Sequence, residues 1–146
     1  MSTLLVQKLE TELAQELSYK LSDRCQIGAF YPYLYMHNAP SGTFTIELLN
    51  SDDDAVMTKS FTSADIKASL STSNNYAHVF YPIIPTNPIQ IEYGNYTIKL
   101  SASGYSPSDS SYLGWIQQHE NIQNIMDYAP AFDTQNSLAI RIKEYE

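Results

Sequence analysis

Cysteine is almost absent from this chain, since Cys25 is the only one among 146 residues. A lone cysteine cannot form an intrachain disulfide or a cysteine-based metal site. Its β-forming neighbours indicate a small buried side chain rather than a reactive thiol. Glycine is scarce too, with five residues, and the sequence contains neither a glycine-rich phosphate loop nor a GxSxG nucleophile motif. These absences predict a protein that is not an enzyme.

Basic residues are also few. Eight Lys and Arg residues stand against 16 Asp and Glu residues, which gives a formal net charge of −8 at pH 7. A protein of this sign repels the phosphates of nucleic acids and the headgroups of anionic lipids. The sequence therefore predicts that the partners include neither nucleic acid nor a membrane.

Long apolar runs are missing as well. At the N-terminus Lys8 and Glu10 interrupt the leucines, so no secretory signal is predicted and no segment approaches the length of a membrane span. We therefore expect the chain to be made in the cytoplasm.

The sequence does have hydrophobic alternation with a period of two residues, which is typical of half-buried antiparallel strands. The clearest segments are 43–48, 96–100 and 138–142, and further strands are predicted at 13–21, 25–37, 55–61, 76–83 and 111–118. Turn-forming residues separate these segments, and Pro32 and Pro82 are expected to mark a strand edge, a strand end or a bulge.

This spacing predicts an all-β fold, an antiparallel β-sandwich of jelly-roll topology with at most one or two short helical turns. One such turn is expected near Ser63, which can cap it. Residues 12–146 are predicted to form a single domain, and residues 1–11 an N-terminal arm or a short helix. In that segment Leu4, Leu5 and Leu9 are candidates for attachment to a neighbouring chain.

Tyrosine is abundant, with 12 residues. If segment 30–35 is a regular strand, Tyr31, Tyr33 and Tyr35 share one face while Phe30 and Leu34 share the other. Such a tyrosine stripe is suited to a subunit interface, to a ligand platform or to half-buried packing.

The only tryptophan, Trp115, poses the same question. In a strand it shares a face with Leu113 and Gln117, while Tyr112 and Ile116 lie on the other, so both faces are mostly apolar. Trp115 and Tyr112 are therefore candidates for contact with a ligand or another subunit, and a core position for Trp115 is the alternative.

The acidic cluster Asp52, Asp53 and Asp54 is the best candidate for a metal site, because Ca²⁺ prefers oxygen ligands on a flexible loop. The spacing lacks the EF-hand pattern, so a solvated hairpin loop is the alternative. His37, His78 and His119 lie in separate segments without metal-ligand spacing, which favours structural or exposed positions. No other cofactor is predicted.

The order of strands and turns resembles the jelly-roll domains, similar to carbohydrate-binding modules, of bacteriophage virion proteins and of some bacterial surface proteins. The resemblance covers roughly residues 12–145, and its motifs are Leu13-Ala14-Gln15, Pro40-Ser41-Gly42, Gly94-Asn95-Tyr96 and the segment Ser101–Gly104.

This resemblance implies a non-enzymatic virion structural protein, either a capsid decoration (cement) protein or a component of a head or tail fibre. Its implied partners are other virion proteins, of the capsid or the tail, and further copies of itself in a homo-oligomer. Its implied location is the virion, after synthesis in the host cytoplasm. The alternative is a carbohydrate-binding module that recognises a glycan through exposed aromatic side chains.

Overall fold

The computed structural model describes residues 6–19, 25–92, 94–117, 132–134 and 140–144. In chain order the elements of these ranges are β1 (Val6–Lys8), β2 (Glu12–Tyr19), β3 (Cys25–His37), β4 (Thr43–Leu49), β5 (Ala55–Phe61), α1 (Ser63–Ser69), β6 (Ala77–Phe80), β7 (Ile89–Ile91), β8 (Gly94–Ser103), β9 (Tyr112–Ile116), β10 (Phe132–Thr134) and β11 (Ile140–Glu144). The bounds of β3 and β5 are those that the alternation predicts.

These strands form two antiparallel sheets that pack against each other, so the predicted all-β sandwich is confirmed. Sheet one has the order β1-β9-β3-β11, and both β6 and β7 also pair with β3. Sheet two has the order β10-β2-β8-β4-β5. The jelly-roll topology stays a prediction.

Strand β3 is the longest strand and has partners along both edges. Its second half pairs with β9, where Leu34 lies opposite Trp115, and with β6, where Leu34 lies opposite Val79. Its first half pairs with β11 and β7. A strand bonded on both edges cannot slip by one residue without turning its core side chains to solvent.

Pro32 lies inside β3 and not at an edge, a strand end or a bulge, so that expectation was wrong. Proline lacks an N–H, but its carbonyl still accepts a hydrogen bond from Tyr81 N at 3.0 Å. β3 thus loses a single donor and keeps its pairing. Pro82 fits the expectation better, because β6 ends at Phe80, two residues before it.

The inward side chains of both sheets fill one common core. Trp115, Phe30, Phe44 and Phe61 are the largest fully buried side chains in it, and Trp115 is 0% exposed. Leu34 and Trp115 lie on adjacent strands of sheet one and point inward, into the same cluster as Phe44 and Phe61 of sheet two. The core therefore connects the two sheets.

The predicted short helix is present as α1, but its cap is one residue earlier than expected. The Thr62 side chain accepts a hydrogen bond from Asp65 N, and Thr62 N donates one to Asp65 Oδ2 at 2.9 Å, which makes a capping box. Ser63 instead donates to the Pro40 carbonyl at 2.6 Å. Within the described ranges, no helix has the length and apolar character needed to cross a membrane.

The described part of the N-terminal segment is neither a helix nor an arm. Val6–Lys8 form β1 on the edge of β9, and Leu9 is 0% exposed in the core, where its N–H donates to the Leu113 carbonyl at 2.8 Å. Leu9 is therefore a core residue with no surface for attachment. Leu4 and Leu5 lie outside the described residues.

Tyr105 connects this N-terminal segment to β9. Its hydroxyl donates to the Leu9 carbonyl at 2.8 Å and accepts from Leu113 N at 3.1 Å. Burial raises the pKa of the Tyr105 phenol, and the nearby Glu10 charge raises it further. The partly buried hydroxyl is thus a structural hydrogen-bonding group between two segments far apart in sequence.

Trp115→Ala is expected to destabilise the protein by about 3–5 kcal/mol, because it leaves a cavity at the centre of the core. Urea unfolding followed by tyrosine fluorescence measures this loss. Trp115→Phe, the control, keeps an aromatic ring and should cost clearly less. A loss below about 1 kcal/mol for the alanine variant would contradict the core assignment.

Tyr105→Phe is expected to cost about 1–3 kcal/mol, since the Leu113 N–H and the Leu9 carbonyl each lose a partly buried hydrogen-bond partner. Denaturant unfolding is again the measurement. Tyr76→Phe, at a residue that is 48% exposed, is the matched control and should change stability little. Equal effects from the two variants would show that the buried hydroxyl has no special role.

Candidate functional site

The outer surface of sheet one is covered by aromatic rings. We call this surface the aromatic face and define it by Tyr33, Tyr35, His37, Tyr76, His78, Phe80 and Tyr112. The pleat of β3 places its alternate residues outward, β6 and β9 contribute from either side, and Tyr76 immediately precedes β6. The members range from half-buried to exposed.

Two pairs of rings stack across strands. Tyr33 lies on Phe80 with 4.2 Å between ring centroids and an interplanar angle of 6°. His37 lies on Tyr112 at 4.8 Å and 21°, and Tyr76 meets the edge of His37 at 5.1 Å. Such cross-strand aromatic pairs stabilise a sheet by roughly 0.2–1 kcal/mol each. They also fix the orientations of the rings in the isolated chain.

Tyr35 lies at the centre of the face. Its hydroxyl is 2.9 Å from His37 Nδ1, and its ring contacts those of His78 and Tyr112. Burial raises the pKa of the Tyr35 phenol, and the neighbouring Tyr112 and Tyr76 raise it further because their ionised forms would repel its charge.

A glycine makes room at the margin of the face. Gly114 lies opposite Tyr35 on one side and opposite Lys8 on the other. A Cβ at this position would collide with a methyl group of Val6 and would lie 3.1 Å from the Gln7 carbonyl oxygen. The missing side chain therefore lets β1 lie close to β9.

The margin continues as an apolar patch with one cation. Ile116 is buried between Val6, Tyr33 and Tyr35. Lys8 Nζ lies 5.8 Å from the centroid of the Tyr112 ring, within the range of a cation–π contact. The same amine forms ion pairs with Asp109 at 3.3 Å and Glu10 at 3.5 Å.

The outer surface of sheet two has a different character. Lys99 lies between Glu12 and Glu47 at 3.9 Å and 3.8 Å, and the hydroxyls of Thr45 and Ser60 are 3.1 Å apart. Exposed ion pairs of this kind contribute little to stability. They are typical of a surface that faces water.

Sequence reasoning found part of the aromatic face. Tyr33, Tyr35 and Tyr112 come together as one surface, and Tyr31 lies on the same side of β3, opposite Arg141 of β11. Trp115 does not belong to this surface, because it is fully buried on the core side of β9. The core alternative for Trp115 is therefore correct, and its candidacy for ligand or partner contact was wrong.

The remaining members of the face were missed as a group. His37 and His78 were weighed as metal ligands and expected at structural or exposed positions, and Tyr76 and Phe80 were considered only as parts of a strand. The alternation in segment 76–80 was the available signal, since it places Tyr76, His78 and Phe80 on one side of a strand. His119 and the side chain of Cys25 lie outside what the structure describes.

The acidic cluster is the tip of the β4–β5 hairpin. Asn50 Oδ1 accepts hydrogen bonds from Asp52 N at 2.9 Å and Asp54 N at 3.0 Å, and Asp53 adopts a positive φ of 62°. Across the described ranges, no group of three or more His, Cys, Asp or Glu residues is arranged to hold a metal ion. The side chain of Asn50 organises this turn, so the calcium prediction has no geometric support here.

The Tyr35 phenol is expected to deprotonate at higher pH than exposed tyrosines do. Because its folded pKa is raised, the stability it contributes is present below about pH 10 and is lost as the pH rises through the folded pKa. An ultraviolet titration of Tyr35→Phe should lose one phenol from its late component, to which the raised pKa values of Tyr105 and Tyr81 also contribute, and stability should fall less steeply in alkali.

The matched control for this titration is Tyr76→Phe, at a residue that is 48% exposed, which should leave the contribution of Tyr35 to the late component in place. If Tyr35→Phe removes an early component instead, the assignment of a buried phenol at the centre of the face is wrong.

Comparisons with family models, curated proteins and solved structures found no match for this chain. Function therefore has to be inferred from the two surfaces of the sandwich and from the motifs in its sequence.

Proposed function

We propose that this chain is a non-enzymatic structural protein that attaches to a larger assembly through its aromatic face. The observation that supports this is the contrast between the two outer surfaces. One carries Glu, Lys, Thr and Ser in water-facing pairs, whereas β3, β6 and β9 contain no Asp or Glu and present packed rings. If both outer surfaces of the sandwich faced only water, we would expect them to have similar polar side chains.

Tyrosine and histidine rings are well suited to a protein partner. They combine a large apolar area with polar groups at the tip, and aromatic residues are enriched at protein interfaces. Their mutual stacking fixes their rotamers in the free protein, so less side-chain entropy is lost when a partner binds.

The assembly we propose is a bacteriophage virion, in which the chain serves as a capsid decoration (cement) protein or as part of a head or tail fibre. This step is supported only by the resemblance of the strand and turn motifs. Its partners would be other virion proteins and further copies of the same chain.

Glycan recognition is the alternative. A sugar ring stacks on an exposed aromatic plane, but the planes of Tyr33, Phe80, His37 and Tyr112 cover one another in pairs. Trp115, the residue most suited to a sugar platform, is in the core. The geometry therefore favours a protein partner over a glycan.

The double variant Tyr76→Glu with His78→Glu tests the proposal, because both residues are exposed members of the face. Burying two carboxylates in an interface is expected to weaken association at least tenfold, which corresponds to about 1.4 kcal/mol or more. The measurement is co-sedimentation of the tagged chain with particles of the phage that encodes it, together with light scattering for self-association.

Thr43→Glu, at an exposed position of β4 in sheet two, is the control and should leave both measurements unchanged. If wild type and double variant sediment equally with particles, the aromatic face is not the attachment surface. Binding of the wild type to a glycan array, lost in the double variant, would support the carbohydrate-binding alternative instead.

A further inference from the structure

A second recognition surface lies at the edge of sheet two, away from the aromatic face. A groove of about 470 Å³ runs between β5 and the segment that leads into β7. Its walls are residues 56–59 on one side and residues 84–90 on the other. This volume is within the range of about 300–1,000 Å³ that is usual for binding clefts.

The strand along this groove has a long edge without a partner among the described strands. β5 has seven residues and pairs with β4 alone among the described strands. The other strands with one described partner are shorter, namely β1, β6, β7, β10 and β11. Proteins normally keep edge strands short, because unpaired N–H and C=O groups bind other chains.

The direction of the free backbone groups follows from the β4–β5 hairpin. Asn50 N donates to the Asp54 carbonyl at 2.9 Å, and alternate residues of an antiparallel strand bond to the same side. Leu48 and Ile46 therefore bond to β5, at Met57 and Lys59. The amides of Thr58 and Ser60 consequently point away from β4, to the free edge.

One charge interrupts the inward face of β5. Met57 and Phe61 are buried at 7% and 2% exposure, but Lys59, which lies between them in the alternation and opposite Ile46, is exposed in the groove. In the part of the chain that the structure describes, no carboxylate pairs with Lys59. An inward-pointing charge discourages general pairing at an edge, while it favours a strand that carries a carboxylate at the matching position.

The rest of the groove suits the side chains of an extended peptide. Ile84 is 59% exposed and Val56 is 40% exposed, which provides apolar contacts at the rim. Thr86 and Asn87 offer hydrogen-bonding groups between two prolines that restrict the loop. Backbone bonds supply affinity in strand addition, and pockets for alternate side chains supply selectivity.

We propose that the β5 edge binds an extended segment of a partner protein as an added strand, with an Asp or Glu side chain placed against Lys59. The partner is thus an acidic, strand-forming peptide rather than a folded surface. This site is separate from the aromatic face and does not depend on the function proposed for it.

A displayed library of random peptides of roughly eight residues, an ordinary strand length, is the probe. Selection against the full chain is expected to enrich peptides with one carboxylate at a fixed position. The same selection against Lys59→Glu should enrich Lys or Arg there. For one selected peptide, exchanging Glu for Lys should change Kd at least tenfold, in opposite directions for the two proteins.

The mode of binding has its own measurement. The peptide should protect the amides of Thr58 and Ser60 from hydrogen exchange. A peptide N-methylated at the alternate amides that face β5 should lose binding, whereas a peptide N-methylated at the other alternate amides should keep it. Lys59→Met is the matched control, since it keeps the length of the side chain and should remove the charge preference without reversing it. Tyr76→Glu with His78→Glu should bind the peptide normally.

The proposal is overturned if selection yields no binder, or if the enriched peptides carry the same charges for the wild type and Lys59→Glu. It is also overturned if a bound peptide protects amides outside β5 while those of Thr58 and Ser60 exchange freely. Because the aromatic-face variant retains this site, a failure here and a failure of particle binding are independent results.

Discussion

The fold depends on the double-sided pairing of β3. With neighbours along both edges, this strand has one register, and that register turns Phe30, Leu34 and Met36 into the core. The pleat then leaves Tyr33 and Tyr35 on the outer surface. Because inward and outward side chains alternate along β3, its register sets both the core of the sandwich and the centre of the aromatic face. Neither can change without the other.

Trp115 extends this coupling to a second strand. It lies opposite Leu34 of β3 and opposite Gln7 of β1, and its ring fills the core. With Trp115 inward, Tyr112 and Ile116 of β9 must point outward, where they join the aromatic face and its apolar margin. Trp115, which the sequence offered as a candidate for ligand contact, therefore acts by fixing which side of β9 faces outward.

Local patterns predicted what depends on local geometry. The alternation of Phe44, Ile46 and Leu48 gave the core side of β4, and that of the tyrosines gave the outer side of β3. The composition of the aromatic face could not be predicted, because it arises when β6 pairs with β3 and brings in residues about 40 positions away. The pairing partner of a strand is a property of the whole chain.

The N-terminal strand escaped prediction for a related reason. Three residues, Val6–Lys8, are too few to show a period, and their place is set by the missing side chain of Gly114 and by the burial of Leu9. For Pro32 the sequence predicted an interruption of pairing that the structure does not have. Its restriction on pairing is real, but in the middle of a strand with two partners it removes a single donor, and the remaining ladder bonds hold the strand in place.

The distribution of charge differs between the two outer surfaces of the sandwich. The chain has a net charge of −8, yet β3, β6 and β9 have no carboxylate, so an acidic or neutral partner can approach the aromatic face without direct repulsion there. At the opposite edge, Lys59 is the single cation in the groove beside β5 among the described residues. Because the proposed site on the aromatic face and the proposed strand-binding edge are separate, the domain would hold both proposed partners at once, which is the property that a joining component of an assembly requires.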